Sequence, residues 1–132
     1  MPSKRIPMAG TAAVLVALVA CAPMVPSAPA QLQQSVGPAK TIEVQLPAAV
    51  PVHLSTGYAR TLPAQSRWRL SGRVPQGDVY QPVGAVFSIE GRQVHEAYLV
   101  VQKDVLVGFY LPAESRFSPL EPTINLPKGV FP

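Results

Sequence analysis

Among 132 residues there is one cysteine, and only 14% of positions are charged and 7% aromatic. A single thiol excludes an intrachain disulfide and a thiolate metal cage, so the fold has to stand on its apolar core. A charged fraction well below the roughly 25% of an average domain argues against a disordered, charge-driven tail. Nor does any apolar run reach the about 20 residues that a bilayer-spanning helix needs. The N-terminal run from Met8 to Ala20 stops after 13 apolar or small residues, which excludes it as a permanent transmembrane helix. Set against these shortages are 16 prolines and nine glycines, which break the chain into short elements. The length fits one compact unit.

The N-terminus reads as an address. Lys4 and Arg5 form a basic region ahead of the apolar run, the layout of a secretory signal. The run closes on Leu18-Val19-Ala20-Cys21, and these four residues resemble the lipobox of bacterial prolipoproteins. The resemblance covers the signal segment alone. It implies that residues 1–20 are removed, that the Cys21 thiol receives a diacylglycerol, and that Cys21 becomes the acylated first residue. Ala22 stands where lipoproteins kept in the inner membrane usually carry Asp, which implies the outer membrane, with the domain in the periplasm. Anchoring by two or more acyl chains is stable. Two other readings stay open: cleavage after Ala28-Pro29-Ala30, which satisfies the A-x-A pattern, and a Cys21 that is simply a buried apolar residue.

Removing Lys4 and Arg5 leaves nine basic against seven acidic residues, a net charge of +2. That is too weak for a nucleic-acid footprint. Residues 21–40 carry Pro23, Pro26, Pro29 and Pro38 without any period, and read as a Pro- and Ala-rich tether that would reach up to about 60 Å if extended as polyproline.

Residues 41–132 have the pattern of a small β domain with a Pro-rich C-terminal tail. Runs of Val, Ile, Leu, Tyr and Phe alternate with Pro, Gly, Asp and Ser, and no segment shows a sustained helical stripe. The predicted fold is all-β, an antiparallel curled sheet or barrel-like meander of about five or six strands. Strands are predicted over 41–46, 67–74, 79–89, 94–101 and 105–111, with a weak one over 123–126; Pro82 marks an edge or bulge in the third. Ala97 to Val101 and Val105 to Leu111 form a hairpin. A three-residue loop would set Val100 opposite Leu106, whereas a two-residue Lys103-Asp104 loop would shift the register. Both faces of the hairpin are apolar. Either the segment Thr41 to Leu54 covers the second face, or Tyr98, Val100, Leu106 and Tyr110 form an exposed patch that docks a partner. A folded part of roughly 85 residues buries only about 60 to 65% of its unfolded surface, which favours a partner or self-association.

Chemistry is sparse. His95-Glu96 opens like a zinc-protease helix, but Leu99 stands where the second histidine belongs, and in a strand the two side chains point to opposite faces. No G-x-S-x-G, S-x-x-K or phosphate-cradling glycine loop is present. Catalysis, a metal and a cofactor are therefore not expected. One run is less ordinary: strand alternation over Arg67 to Val74 predicts Arg67, Arg69, Ser71 and Arg73 on one face, a surface suited to carboxylate or phosphate. The expectation is a lipid-anchored, noncatalytic interaction or accessory component of an envelope complex. The rival expectation is a ligand-binding module using the Arg67, Arg69 and Arg73 face.

Overall fold

The computed structural model describes residues 23–34 and 41–132; Leu18, Val19, Ala20 and Cys21 lie outside the described residues, as do residues 35–40 of the predicted tether. The described residues hold strands and no helix. In chain order the strands are β1 (Ala28–Pro29), β2 (Gln33–Gln34), β3 (Glu43–Gln45), β4 (Val50–His53), β5 (Ala59–Leu62), β6 (Arg67–Val74), β7 (Gly77–Pro82), β8 (Ser88–Glu90), β9 (Val94–Glu96), β10 (Tyr98–Gln102), β11 (Val105–Leu111) and β12 (Arg116–Asn125). The main sheet runs β1-β12-β11-β10-β7-β6-β2, and β3 pairs with β6 beside β2. Hairpins β4–β5 and β8–β9 form two small sheets of their own, and every ladder is antiparallel.

The sheet is strongly curled, a half-barrel, and the chain's reach explains why. β1 pairs with one edge strand, β12, and β2 with the other, β6, yet only Ala30, Gln31 and Leu32 separate them. Six interstrand spacings of about 4.8 Å would put β1 and β2 at least about 29 Å apart in a flat sheet. The four Cα steps from Pro29 to Gln33 reach about 14 Å at most. The edges therefore curve toward each other, and Pro23–Gln34 is a strap across the opening. Gly72 admits the strap: a Cβ there would stand 2.3 Å from the Gln33 carbonyl oxygen. The segment read as a free tether is thus, over 23–34, built into the domain, because Ala30 and Leu32 bury apolar surface that a free spacer would leave wet.

Two β-bulges set which side chains share a face. Lys103 and Asp104 both have positive φ (48° and 61°), the two-residue turn that matches strand twist. Gln102 pairs with Val105 and Val101 with Leu106, then the register shifts at Val107 so that Val100 faces Gly108 and Tyr98 faces Tyr110. The two-residue Lys103-Asp104 loop therefore sets the register next to the turn, and the bulge at Val107 shifts it by one residue beyond Val101, so the three-residue-loop pairing of Val100 with Leu106 does not form. The first face of the sheet buries Trp68, Tyr80, Leu99, Val101, Leu106, Phe109 and Leu111 beneath the β4–β5 and β8–β9 hairpins, with Val44, Leu46, Val50 and Val52 from the 41–54 segment. Phe131 closes this core edge-on to Tyr80, with ring centroids 4.9 Å apart, so the Pro-rich tail is packed and not free. The second face holds Val74, Val79, Val100, Tyr110 and Phe117 with Ala30 of the strap. The strap, and not the 41–54 segment, covers it.

Candidate functional site

The predicted docking patch is not a surface. Val100 and Leu106 are fully buried and Tyr110 nearly so, and the Val107 bulge turns Leu106 into the first core while Tyr98, Val100 and Tyr110 stay on the second face. Only Tyr98 keeps partial exposure, its ring 6.3 Å from that of Tyr110. Burial pushes the Tyr98 hydroxyl above its ordinary value, with Glu96 and then Tyr110 adding to the shift. Tyr80 is raised by burial first and by Asp78 second.

Because ionised tyrosine is less favourable in the folded chain than in the unfolded one, these two groups stabilise fully below the unfolded value of 10.0. Their contribution is lost as pH rises through the higher folded values. Urea melts between about pH 9 and 12 are expected to show falling stability, with a shallower fall in Tyr80→Phe.

The predicted arginine row is also broken. The register shift between Leu70 and Gly72 leaves Ser71 unpaired and reverses the alternation, so Trp68 and Leu70 face one core while Val74 faces the other. Arg73 consequently lies on the opposite face from Arg67 and Arg69. Two of the three are already neutralised: Arg69 Nη2 donates to Glu43 Oε1 at 3.1 Å and Arg73 Nε to Asp78 Oδ1 at 3.0 Å. No common anion face remains.

Two clefts stand in place of these predictions. The first is a groove of about 250 Å³ between β5, the start of β6 and the loop 82–87. It is lined by Arg60, Arg67, Trp68, Val83, Val86 and Phe87 among others. Trp68 is locked beneath it by an Nε1–H bond to Ser66 Oγ (3.0 Å) and an edge-on contact with Phe87. The Arg60 guanidinium lies 5.4 Å above the Phe87 ring, a cation–π placement, and reaches Glu90 at 3.8 Å. Val86, 77% exposed, lines the same groove as Arg60 and Arg67.

The second cleft, about 480 Å³, lies where the strap enters the fold and is lined by Met24 to Ser27, Arg92, Gln93, His95, Leu111, Glu114 and Arg116. Arg116 holds the strap: Nε donates to Ser27 Oγ and Nη2 to the Ser27 carbonyl, both at 2.7 Å. The Arg92 amide donates to the Pro23 carbonyl at 3.1 Å. His95 and Glu96 do diverge, and His95 Nδ1–H donates instead to Glu114 Oε1 at 2.8 Å, since a carboxylate only accepts. No hydroxyl stands within hydrogen-bond reach of the His95 ring among the described residues, and these hold no cluster of three or more His, Cys, Asp or Glu able to ligate a metal. Neither cleft was readable in the sequence, because each is assembled from segments that lie far apart in the chain.

These features define an all-β half-barrel closed by an N-terminal strap, with one apolar-cationic groove and one strap-side cleft. No family model, no curated protein and no solved structure matches this chain.

Proposed function

We propose that the protein is a lipid-anchored outer-membrane lipoprotein whose noncatalytic β domain serves as an interaction or accessory component of an envelope complex. The observation that carries this reading is the placement of the one cysteine at the end of the signal-like run, in Leu18-Val19-Ala20-Cys21. The fold supports a cut at Cys21 over one after Ala30. Cleavage after Ala30 would remove β1, both Arg116 bonds to Ser27 and the buried Ala30, whereas cleavage before Cys21 leaves the strap whole.

The groove at Val86 is where a partner docks in this reading. An exposed aliphatic side chain in a groove that Arg60 and Arg67 also line suits a protein segment with an apolar side chain next to carboxylates. The test is a photo-crosslinking residue placed at Val86 in the acylated chain in intact cells, with Lys103 as the control position. A discrete heavier species formed from Val86 and not from Lys103 is the expected result. Absence of any adduct from Val86, in a chain that is folded and membrane-bound, would remove the docking role.

A further inference from the structure

We infer that the acylated domain lies flush on the bilayer, with its strap-entry end, around Met24, Arg92 and Arg116, against the lipid headgroups. This rests on the anchor reading above and deepens it. A free spacer over 21–40 would let the domain roam up to about 60 Å from the membrane. The fold removes that freedom, because Pro23 is already bonded into the domain. Pro23 accepts the Arg92 amide hydrogen, and a Cβ on Gly91 would come within 2.8 Å of the same carbonyl oxygen, so strap and hairpin tip are in close contact there. Val25 packs on the main core, and Ser27 is tied to Arg116. Two Cα steps separate Cys21 from Pro23, about 7 Å at full extension. A sulfur held at the headgroup level therefore places Pro23 at the membrane surface.

The surface at that end has the chemistry of a bilayer contact. Met24 is 66% exposed and Val94, at the β8–β9 tip, 67% exposed. Arg92 supplies a guanidinium to the adjoining cleft, suited to lipid phosphate, and Arg116, tied to Ser27 through Nε and Nη2, adds its positive charge there. The one carboxylate lining that cleft, Glu114, is engaged by His95. The Lys103-Asp104 turn lies at the other end of β11 from the turn over 112–115, about 20 Å away for seven residues.

The experiment uses the full acylated chain with Gln93→Cys or Lys103→Cys; with the Cys21 thiol acylated, the new thiol alone takes a fluorophore. Each protein is reconstituted in vesicles of phosphatidylethanolamine and phosphatidylglycerol containing a nitroxide-headgroup lipid, after intact mass has established acylation. Quenching severalfold stronger at position 93 than at position 103 is expected. Hydrogen exchange of the unsubstituted chain, compared between vesicles and detergent, should show added protection at residues 91–95 and none at 102–105. If the mass shows acylation but the two probes quench alike and 91–95 gain no protection, the flush orientation is overturned while the anchor stands. If the mass shows no acyl chains, the anchor reading fails and the orientation with it.

Discussion

Replacing Trp68 with alanine should destabilise the domain by about 3–5 kcal/mol, the range for emptying a buried aromatic site. Trp68 is 1% exposed and one of the largest side chains in the first core, packed edge-on against Phe87 while Val44 of β3 pairs across from it. Its loss opens the floor of the Val86 groove and leaves Ser66 Oγ without the indole donor. In a domain of this size each kcal/mol moves the midpoint by about 4–8 °C, so thermal unfolding should drop by at least about 12 °C. Trp68→Phe keeps most of the volume and should lose less than half as much. A midpoint within a few degrees of the parent for Trp68→Ala would mean that the β3, β6 and 82–87 segments do not share this core.

Gly72→Val should detach the strap. The added Cβ would meet the Gln33 carbonyl oxygen at 2.3 Å and the Leu32 side chain at 3.0 Å, and a backbone carbonyl in a sheet ladder cannot step aside without breaking the pairing. Overpacking of this kind costs about 1–3 kcal/mol. The characteristic outcome is local: amides of 28–34 lose protection while β10 and β11 keep theirs. Tyr98, Val100, Tyr110 and Phe117 then become accessible to an apolar dye. Uniform loss of protection would show that strap and sheet unfold as one unit.

The buried state of Val100, Leu106 and Tyr110 changes what substitutions at those positions report. Serine at these sites would empty the two cores and read out folding, not docking. The apolar second face of the hairpin was legible in the sequence, because Tyr98, Val100 and Tyr110 alternate with core residues. What covers it was not, since the strap has no period and joins the two edges of the sheet through two strands of only two residues each.

Strands β6 and β11 match their predicted bounds, where alternation or apolar density is unbroken over seven or eight residues. β12 extends over Arg116–Asn125, well beyond the weak strand expected over 123–126. Pro119 and Pro122 mask it, and they are tolerated because β1 covers the outer edge of β12 only at Arg116 and Phe117. The predicted strands over 79–89 and 94–101 are each split, at the loop after Pro82 and at Ala97, into β7 with β8 and β9 with β10. β4 and β5 were missed, four residues each and interrupted by Pro51 and Arg60. The arginine face failed for a different reason. Period-two counting assumes an unbroken ladder, and a single extra residue at Ser71 sends Arg73 to the other side.

The proposed anchor at Cys21 joins the address, the strap and the proposed membrane orientation into one account. The most direct measurement of it is the intact mass of the membrane-extracted protein beside that of a Cys21→Ser variant. The account predicts a chain that begins at Cys21 and is heavier by its acyl groups, with the variant lacking that added mass and leaving the membrane fraction. An unmodified chain beginning at Gln31 would contradict it, because that chain would have no anchor and would have lost the first eight of the strap's twelve residues.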